Sequence, residues 1–385
     1  MSEAQPYSAE IVGSISDIDA VAWDACSEGN PFLKHAFLAA LEQSGSATAE
    51  TGWQPYHIKL FDNSSSGAQP VGYMPCYLKS HSYGEYVFDH AWAHAFENAG
   101  GNYYPKLQAS IPFTPVTAPR LLTLPGATMA TKEALLHSLT GAVQHLGISS
   151  AHLTFLSKED AALAADAGLL VRTDQQFHWK NEGYENFDAF LAALSSRKRK
   201  QIKKERRTAL ENGIEVEHLR GADITEAHLD QFFDFYQDTS ARKWGQAYLN
   251  RDFFARIHKN MPDDILLFMC RRDGRYVAGA INFLGPDTLY GRYWGCIEDH
   301  PCLHFETCYY QAIDYAIAHD LSTVEAGAQG PHKLARGYTP VKTYSAHWIT
   351  NPGFRDAVAR FLKVERQDID AQVDYLATRT PFKST

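Results

Sequence analysis

Residues 288–297, TLYGRYWGCI, open the stretch that decides the fold of this chain. Their side chains alternate between apolar or aromatic and small types, and this period of two predicts a β-strand. After a stop at residues 299–301 the apolar period changes to three and four, which predicts an α-helix over residues 303–319. The apolar stripe of this helix consists of Phe305, Cys308, Tyr309, Ala312, Ile313, Ala316 and Ile317. Residues 322–327 then predict a buried second strand, which ends in a glycine-containing loop at 327–330.

The order of elements around this stretch occurs twice. A strand, two helices, three strands, a helix and a strand are predicted once before residue 180 and once after residue 213. The second copy is predicted as strand 214–219, helices 225–241 and 251–260, and strands 264–272, 276–284 and 288–297, followed by the helix and strand already described. A chain of 385 residues also exceeds the size of one ordinary core. We predict domains at residues 1–185 and 214–350, joined by a helix at 186–213 and followed by a terminal helix and tail at 351–385.

The composition is typical of a globular protein. Hydrophobic residues make up 45% and charged residues 21% of the chain, so nothing indicates disorder. Apolar runs stay well below the ~20 residues that a membrane span needs, and the first residues lack the features of a secretion signal. The six cysteines are dispersed, which favours reduced thiols over a disulfide framework. We therefore expect a cytoplasmic protein without a membrane span; its oligomeric state is not predicted.

One segment departs from the mildly acidic character of the chain. Residues 197–207, RKRKQIKKERR, carry eight basic residues and one acidic residue, whereas the net charge of the whole chain is −9. Two interpretations stay open. The segment could hold tRNA phosphates, or it could be a solvated linker helix, which we favour because its charges are expected to surround the helix.

Two runs of the sequence carry a resemblance to a known family. They are residues 303–349, LHFETCYYQAIDYAIAHDLSTVEAGAQGPHKLARGYTPVKTYSAHWI, and residues 80–106, SHSYGEYVFDHAWAHAFENAGGNYYPK. Over most of residues 30–350 the chain resembles the FemAB-like N-acyltransferases, whose fold is similar to that of the GNAT superfamily. The resemblance implies an α/β protein with tandem GNAT-like domains, in which mixed sheets are flanked by helices. It also implies transfer of an acyl or aminoacyl group to an amine, linked to peptidoglycan metabolism.

Transfer to an amine requires a base for the amine proton and an acid for the leaving group. Glu306 and Glu325 are the candidate bases. Glu306 lies near a helix N-terminus, whose dipole lowers its basicity, whereas burial in the predicted strand would raise the basicity of Glu325. The alternative is that either glutamate forms a structural ion pair with a nearby cation. His304 is a candidate for proton transfer or helix capping, and Tyr344 is a candidate acid.

The donor and the acceptor have separate candidate sites. Small residues and cations around the loop at 327–333 can hold a phosphate or a carboxylate, although an ordinary surface turn is the alternative. The predicted donor or anion site consists of Trp294, Gln329, His332, Lys333 and Arg336. Residues 80–106 are rich in polar and aromatic side chains and predict a cleft wall. The predicted acceptor site consists of Tyr83, Glu85, Asp89 and Lys106.

The loop before the predicted helix bears on the identity of the donor. Coenzyme A-binding GNAT enzymes carry a glycine-rich pyrophosphate loop there, whereas this chain has IEDHPCL at 297–303. Fem-type enzymes share this lack and use aminoacyl-tRNA, so the donor substrate is either acyl-CoA or aminoacyl-tRNA, and no tightly bound cofactor is predicted. His90 with His94, and Cys296, Cys302, His304 and Cys308, do not match the spacing of zinc sites, so no metal is predicted. A non-catalytic protein that binds cell-wall peptide remains an alternative.

Overall fold

The computed structural model describes residues 6–64, 69–243, 247–327 and 330–383. The strands are β1 Tyr7–Val12, β2 Trp53–Pro55, β3 His57–Asp62, β4 Pro70–Met74, β5 Cys76–Lys79, β6 Lys106–Ala109, β7 Leu122–Thr123, β8 Ser150–Leu156, β9 Leu170–Lys180, β10 Glu215–Arg220, β11 Ile265–Arg272, β12 Arg275–Leu284, β13 Thr288–Cys296, β14 Thr323–Glu325 and β15 Thr339–Ile349. The helices are α1 Ala20–Asp24, α2 His35–Gln43, α3 His90–Asn98, α4 Met129–Leu146, α5 Lys158–Asp166, α6 Phe187–Ala193, α7 Ser196–Leu210, α8 Glu226–Lys243, α9 Arg251–Asn260, α10 Leu303–Phe305, α11 Gln311–Ala318 and α12 Pro352–Ala377. A π-helical turn, Glu306–Tyr310, joins α10 to α11, and a 3₁₀ helix covers Pro331–Arg336.

Two compact units divide the chain. Unit 1 contains the residues up to Asp174 together with Lys342–Asp370, and unit 2 contains Gln175–Val341 and the residues from Ala371 onward. These units differ from the predicted domains, because the basic helix α7 belongs to unit 2 and most of the terminal helix α12 belongs to unit 1. No helix within the described ranges is both long enough and apolar enough to cross a bilayer.

Unit 1 contains a small antiparallel sheet, in the order β1, β3, β4 and β7, and a second sheet around β8. β3 and β4 are antiparallel neighbours in the small sheet. In the second sheet β2, β5 and β6 are antiparallel neighbours, β6 lies parallel to β8, and residues 344–349 of β15 lie antiparallel to β8. Apolar side chains of α4 and β8, including Leu139 and Leu153, form the core between helix and sheet.

Unit 2 contains the stretch that decided the prediction. Strands β10 to β13 are successive antiparallel neighbours, β14 lies parallel to β13, and β9 lies antiparallel to β14. The apolar stripe of the helix that follows β13 packs into the core of this unit, where Ile313 and Ala316 are fully buried. The predicted succession of strand, helix and strand is therefore present, with a π-helical turn inside the helix.

A glycine on β13 permits close approach of a helix. A Cβ atom at Gly295 would lie 2.0 Å from the carbonyl oxygen of Phe235 on α8. We expect Gly295→Ala to lower the free energy of unfolding by at least about 1–3 kcal/mol, because a backbone atom cannot move aside as a side chain does. Thermal denaturation would measure this loss. Gly141→Ala is the matched control, since no atom lies within 4 Å of its added Cβ. Equal melting temperatures for the two variants would contradict the expected clash.

Candidate functional site

A cavity of about 80 Å³ lies in unit 2 where β13 and β14 separate. β14 ends at Glu325, which is paired with Tyr290, whereas β13 continues to Cys296 past this last pairing. The cavity lies beside the part of β13 that follows Tyr290. Its lining residues are Ala280, Asn282, Gly291, Arg292, Tyr293, Trp294, His304, Cys308, Tyr309 and Ala326.

A β-bulge places an arginine in the cavity wall. The pairing of β12 with β13 shifts between Ile281, opposite Tyr293, and Asn282, opposite Gly291, so that Arg292 is the extra residue. A bulge of this kind bends the strand and changes the direction of a side chain. Arg292 therefore contributes a fixed positive charge to the wall.

Glu325 directly precedes a lining residue of the cavity, although it is not itself one of the lining residues. It is the last residue of β14, its side chain is 13% exposed, and the next residue, Ala326, lines the cavity. Burial raises the pKa of Glu325 to about 7, against the opposing effects of Arg292 and Lys180. Its other neighbour, His178, lies 3.7 Å away, and burial lowers the pKa of that imidazole to about 3, so it stays neutral. Glu325 thus has the proton affinity of a general base near neutral pH.

Lys333 is a buried amine on the other side of the loop that follows β14. It is 1% exposed, and its Nζ donates a hydrogen bond to the carbonyl oxygen of Gly327 at 2.8 Å. Burial lowers the pKa of Lys333 to about 7; Cys308 of the cavity wall opposes this shift and Arg292 adds to it. At neutral pH the lysine therefore exists in both protonation states.

Aromatic side chains from β13 and from the helix that follows it line the cavity. The ring of His304 meets Trp294 and Tyr309 edge-on, with centroids 5.5 and 5.4 Å away. The hydroxyl of Tyr309 is hydrogen-bonded to Nε2 of His332 at 2.9 Å. Arg336 donates to the carbonyl oxygen of His332 at 2.8 Å and stacks on Phe305 at 3.5 Å. Of the residues predicted for the site, Trp294 and His304 line the cavity. His332 and Arg336 do not line it but contact residues that do or that support them.

Glu306, the other predicted base, lies in a separate ion-pair network. Its side chain is completely buried and accepts hydrogen bonds from Nε and Nη2 of Arg206 and from Gln311. Arg206 also pairs with Asp314 at 2.7 Å. Burial raises the pKa of Glu306, but Arg206 opposes that shift. The predicted structural alternative, an ion pair, therefore describes its surroundings, although the partner is a cation of α7.

Other predicted site residues lie away from this cavity. Tyr344 belongs to unit 1, where it packs against the core around β8. Glu85, Asp89 and Lys106 also belong to unit 1 and form a buried cluster of ion pairs, in which Lys106 Nζ lies 2.8 Å from Glu85 Oε2. Tyr83 is 62% exposed. Their predicted role in acceptor binding stays a prediction, and Gln329 lies outside the described residues.

The basic helix α7 has two different faces. Its inner face carries the buried Ile202 and Ala209, together with Glu205 and Arg206. The cations that are exposed are Arg197, Lys200, Lys203, Lys204 and Arg207. At 100° per residue these five fall within about a third of the helix circumference. Lys198, Arg199 and Arg206 are half-buried and lie outside this third, so the eight cations surround the helix as expected, while the exposed ones cluster on one side.

Sequence reasoning did not assign several residues of this region to the site. Asn282 and Gly291 line the cavity, and Glu205 and Arg206 hold its helix. A polar Asn282 within an otherwise apolar strand was a usable indication, since such a residue requires hydrogen-bond partners. A single sequence gives no indication of the β-bulge at Arg292, because the bulge is defined by the pairing with another strand.

The chain matches one family model over residues 14–384, that of the FemAB-like proteins, described as peptidoglycan biosynthesis/recognition. The chain belongs to the FemAB-like family. No curated protein matches it closely enough to show a relationship. Among solved structures it is similar to FemX, with a TM-score of 0.54 at 12% identity over 91% of this chain and 100% of that one.

Two further structures are similar to this FemAB-like chain. One is the C-terminal domain of a putative lysylphosphatidylglycerol synthetase from Agrobacterium fabrum, with a TM-score of 0.54 at 10% identity over 91% of this chain and 97% of that one. The other is a tandem GNAT protein from the clavulanic acid biosynthesis pathway, with a TM-score of 0.47 at 12% identity, covering 90% of this chain and 99% of that one. The predicted family and the predicted α/β fold of mixed sheets flanked by helices are both confirmed.

Proposed function

We propose that unit 2 transfers an acyl or aminoacyl group from an activated donor to an amine, in the cavity between β13 and β14. The observation that carries this proposal is the cavity at the strand opening, lined by Arg292, Trp294 and His304. Two buried groups near it in the chain, Glu325 and Lys333, have pKa values of about 7. Groups with shifted pKa values are typical of catalytic sites. The family description supports a role in peptidoglycan biosynthesis, and the similarity to a lysylphosphatidylglycerol synthetase domain supports an aminoacyl group.

The proposed chemistry assigns one task to each group. The acceptor amine attacks the donor carbonyl, and Glu325 accepts the amine proton directly or through water. Arg292 and protonated Lys333 stabilise the negative charge that develops on the carbonyl oxygen. The C–N bond forms as the C–O or C–S bond of the donor breaks, and His304 protonates the leaving atom. Trp294 and Tyr309 provide the apolar walls that hold the acyl group.

Aminoacyl-tRNA is the donor that we favour. The loop before α10 contains no glycine, so it lacks the small residues that let a backbone approach the pyrophosphate of coenzyme A closely. The exposed cations of α7 instead offer a row of phosphate contacts within the same unit. This row supports an RNA donor over a thioester donor.

A ligand-stability screen tests the donor class. Charged tRNA should raise the melting temperature of the protein, whereas acetyl-CoA should not, because a ligand that binds only the folded form stabilises it. Lys200→Glu with Lys204→Glu should lower tRNA affinity by roughly tenfold or more and flatten its salt dependence. Lys158→Glu with Lys363→Glu is the control, since both lysines are exposed and lie outside α7.

Two results would contradict this assignment of the donor. If acetyl-CoA stabilises the protein and tRNA does not, the donor is a thioester and the RNA proposal is wrong, while transfer itself remains. If both pairs of substitutions weaken tRNA equally, the contacts are a general effect of charge and α7 has no specific role.

A further inference from the structure

We propose that Glu205 is a positioning residue, through which α7 sets the geometry of the cavity wall. The kinetic part of this inference rests on the proposed transfer reaction, whereas its structural part does not. Glu205 is the one carboxylate within residues 197–207. It lies on the inner face of a helix whose basic side chains are mostly exposed, and its own side chain is 13% exposed.

One carboxylate oxygen of Glu205 accepts two hydrogen bonds. Its Oε2 accepts a hydrogen bond from the hydroxyl of Tyr310, and it accepts a second from Nη2 of Arg336 at 2.9 Å. Tyr310 is the last residue of the π-helical turn, and Arg336 is the last residue of the 3₁₀ helix. A single carboxylate thus joins the two elements that flank the cavity.

The contact with Arg336 continues to the cavity in two more steps. Nη1 of Arg336 donates to the carbonyl oxygen of His332 at 2.8 Å, and Nε2 of His332 is hydrogen-bonded to the hydroxyl of Tyr309 at 2.9 Å. Tyr309 lines the cavity. Because Arg336 also stacks on Phe305 at 3.5 Å, its guanidinium has little freedom while Glu205 holds it.

The neighbouring residue of α7 fixes the other end of the same turn. Arg206 binds Glu306, the first residue of the π-helical turn, and Glu205 binds Tyr310, the last one. Apolar packing beneath α7 is sparse, with Ile202 and Ala209 as its buried side chains. Ion pairs have directional preferences that apolar contacts lack, so Arg206 holds the start of the turn, and the path from Glu205 through Arg336 and His332 holds Tyr309.

The test uses Cys308 as a reporter of the cavity. Cys308 lines the cavity, and the rate at which iodoacetamide alkylates it can be followed separately from the other five cysteines by peptide mass spectrometry. We expect Glu205→Gln to raise this rate about fivefold or more, the lower range of typical coupling between sites. Arg336→Lys, which keeps a positive charge beside Glu205 but cannot hold two partners in a fork, should have the same effect.

Two controls separate positioning from stability. Tyr310→Phe removes the other hydrogen bond of Glu205 and leaves Arg336 in place, so it should lower the melting temperature without changing the Cys308 rate. Glu211→Gln alters an exposed carboxylate of the same helix region that pairs with Arg207, and it should change neither quantity.

Clear outcomes would overturn the inference. It is wrong if Glu205→Gln and Arg336→Lys both leave the Cys308 rate at the wild-type value, or if Tyr310→Phe raises the rate as much as they do. Once a donor is turned over, Glu205→Gln should lower kcat and leave the KM for the donor unchanged. If no donor is turned over, the proposed function fails, but the alkylation rates still decide whether Glu205 positions the wall.

Discussion

Glu325→Gln is expected to lower the kcat of transfer by about 10²- to 10⁴-fold, the usual contribution of a general base. The amide has nearly the shape of the carboxylate but cannot accept the amine proton. In the wild-type protein activity should rise with pH toward about 7, as Glu325 loses its proton, and fall above about 7, as Lys333 loses its proton. Steady-state rates from pH 5 to 9 with the donor identified by the ligand screen would measure both effects, and the variant should lack the rise.

Glu306→Gln is the control for this variant, because Glu306 is the other candidate base and lies in an ion pair instead of beside the cavity. Its kcat should stay close to the wild-type value. If Glu325→Gln retains full activity, or if Glu306→Gln loses as much, the assignment of the base is wrong.

A second measurement on Glu325→Gln needs no substrate. The pKa of Glu325 is higher in the folded protein than its ordinary value of 4.5. The stability that this group contributes is therefore fully present below its unfolded pKa and is lost as pH rises through about 7. We expect Glu325→Gln to be more stable than the wild-type protein at pH 8 and no more stable at pH 4.

Arg206→Met is expected to lower the free energy of unfolding by about 3–5 kcal/mol, the usual effect of removing one partner from a buried ion pair. The completely buried carboxylate of Glu306 would lose its guanidinium and retain Gln311 as its hydrogen-bond donor. Urea denaturation would measure the loss. Burial already raises the pKa of Glu306 and Arg206 opposes that shift, so the stability defect of the variant should grow as pH rises and the carboxylate ionises.

Glu306→Gln with Arg206 intact is the matched control for stability. The side chain of Arg206 is 23% exposed and keeps Asp314 as a partner, so this variant should lose less than Arg206→Met. The double variant Arg206→Met, Glu306→Leu should recover much of the loss, because two apolar side chains can replace a buried ion pair. Equal stability of Arg206→Met and the wild-type protein would mean that the pair contributes nothing to the fold.

Local periodicity predicted most elements of unit 2. The helix at 251–260 and the strands near 264–272, 276–284 and 288–297 agree with α9, β11, β12 and β13 to within one residue at each end. These segments bury regular apolar faces, so their pattern is visible in the sequence. Helix α3 was not predicted, because it buries Trp92 and Ala93 as its two buried side chains and shows no sustained apolar stripe.

Local periodicity did not predict which residues belong to each compact unit. Residues 344–349 of β15 pair with residues 150–156 of β8, which are about 190 positions earlier in the chain. The local sequence of a strand does not identify its pairing partner, since many strands have compatible apolar faces. The prediction followed sequence order and placed residues 342–350 in the second domain and 351–385 in a terminal helix and tail, whereas residues 342–370 belong to unit 1.

The sequence by itself determined the family, the α/β class and the succession of strand, helix and strand at residues 288–327. It also gave Trp294, His304 and Lys333 as candidate site residues. Tertiary structure alone decided that Glu325 is buried just before a lining residue of the cavity while Glu306 is paired with Arg206, and that the exposed cations of α7 cluster on one side. The physical reason is the distance along the chain over which each interaction acts. Periodicity and capping act over a few residues, but burial, pKa and ion pairing depend on atoms brought together from distant parts of the chain.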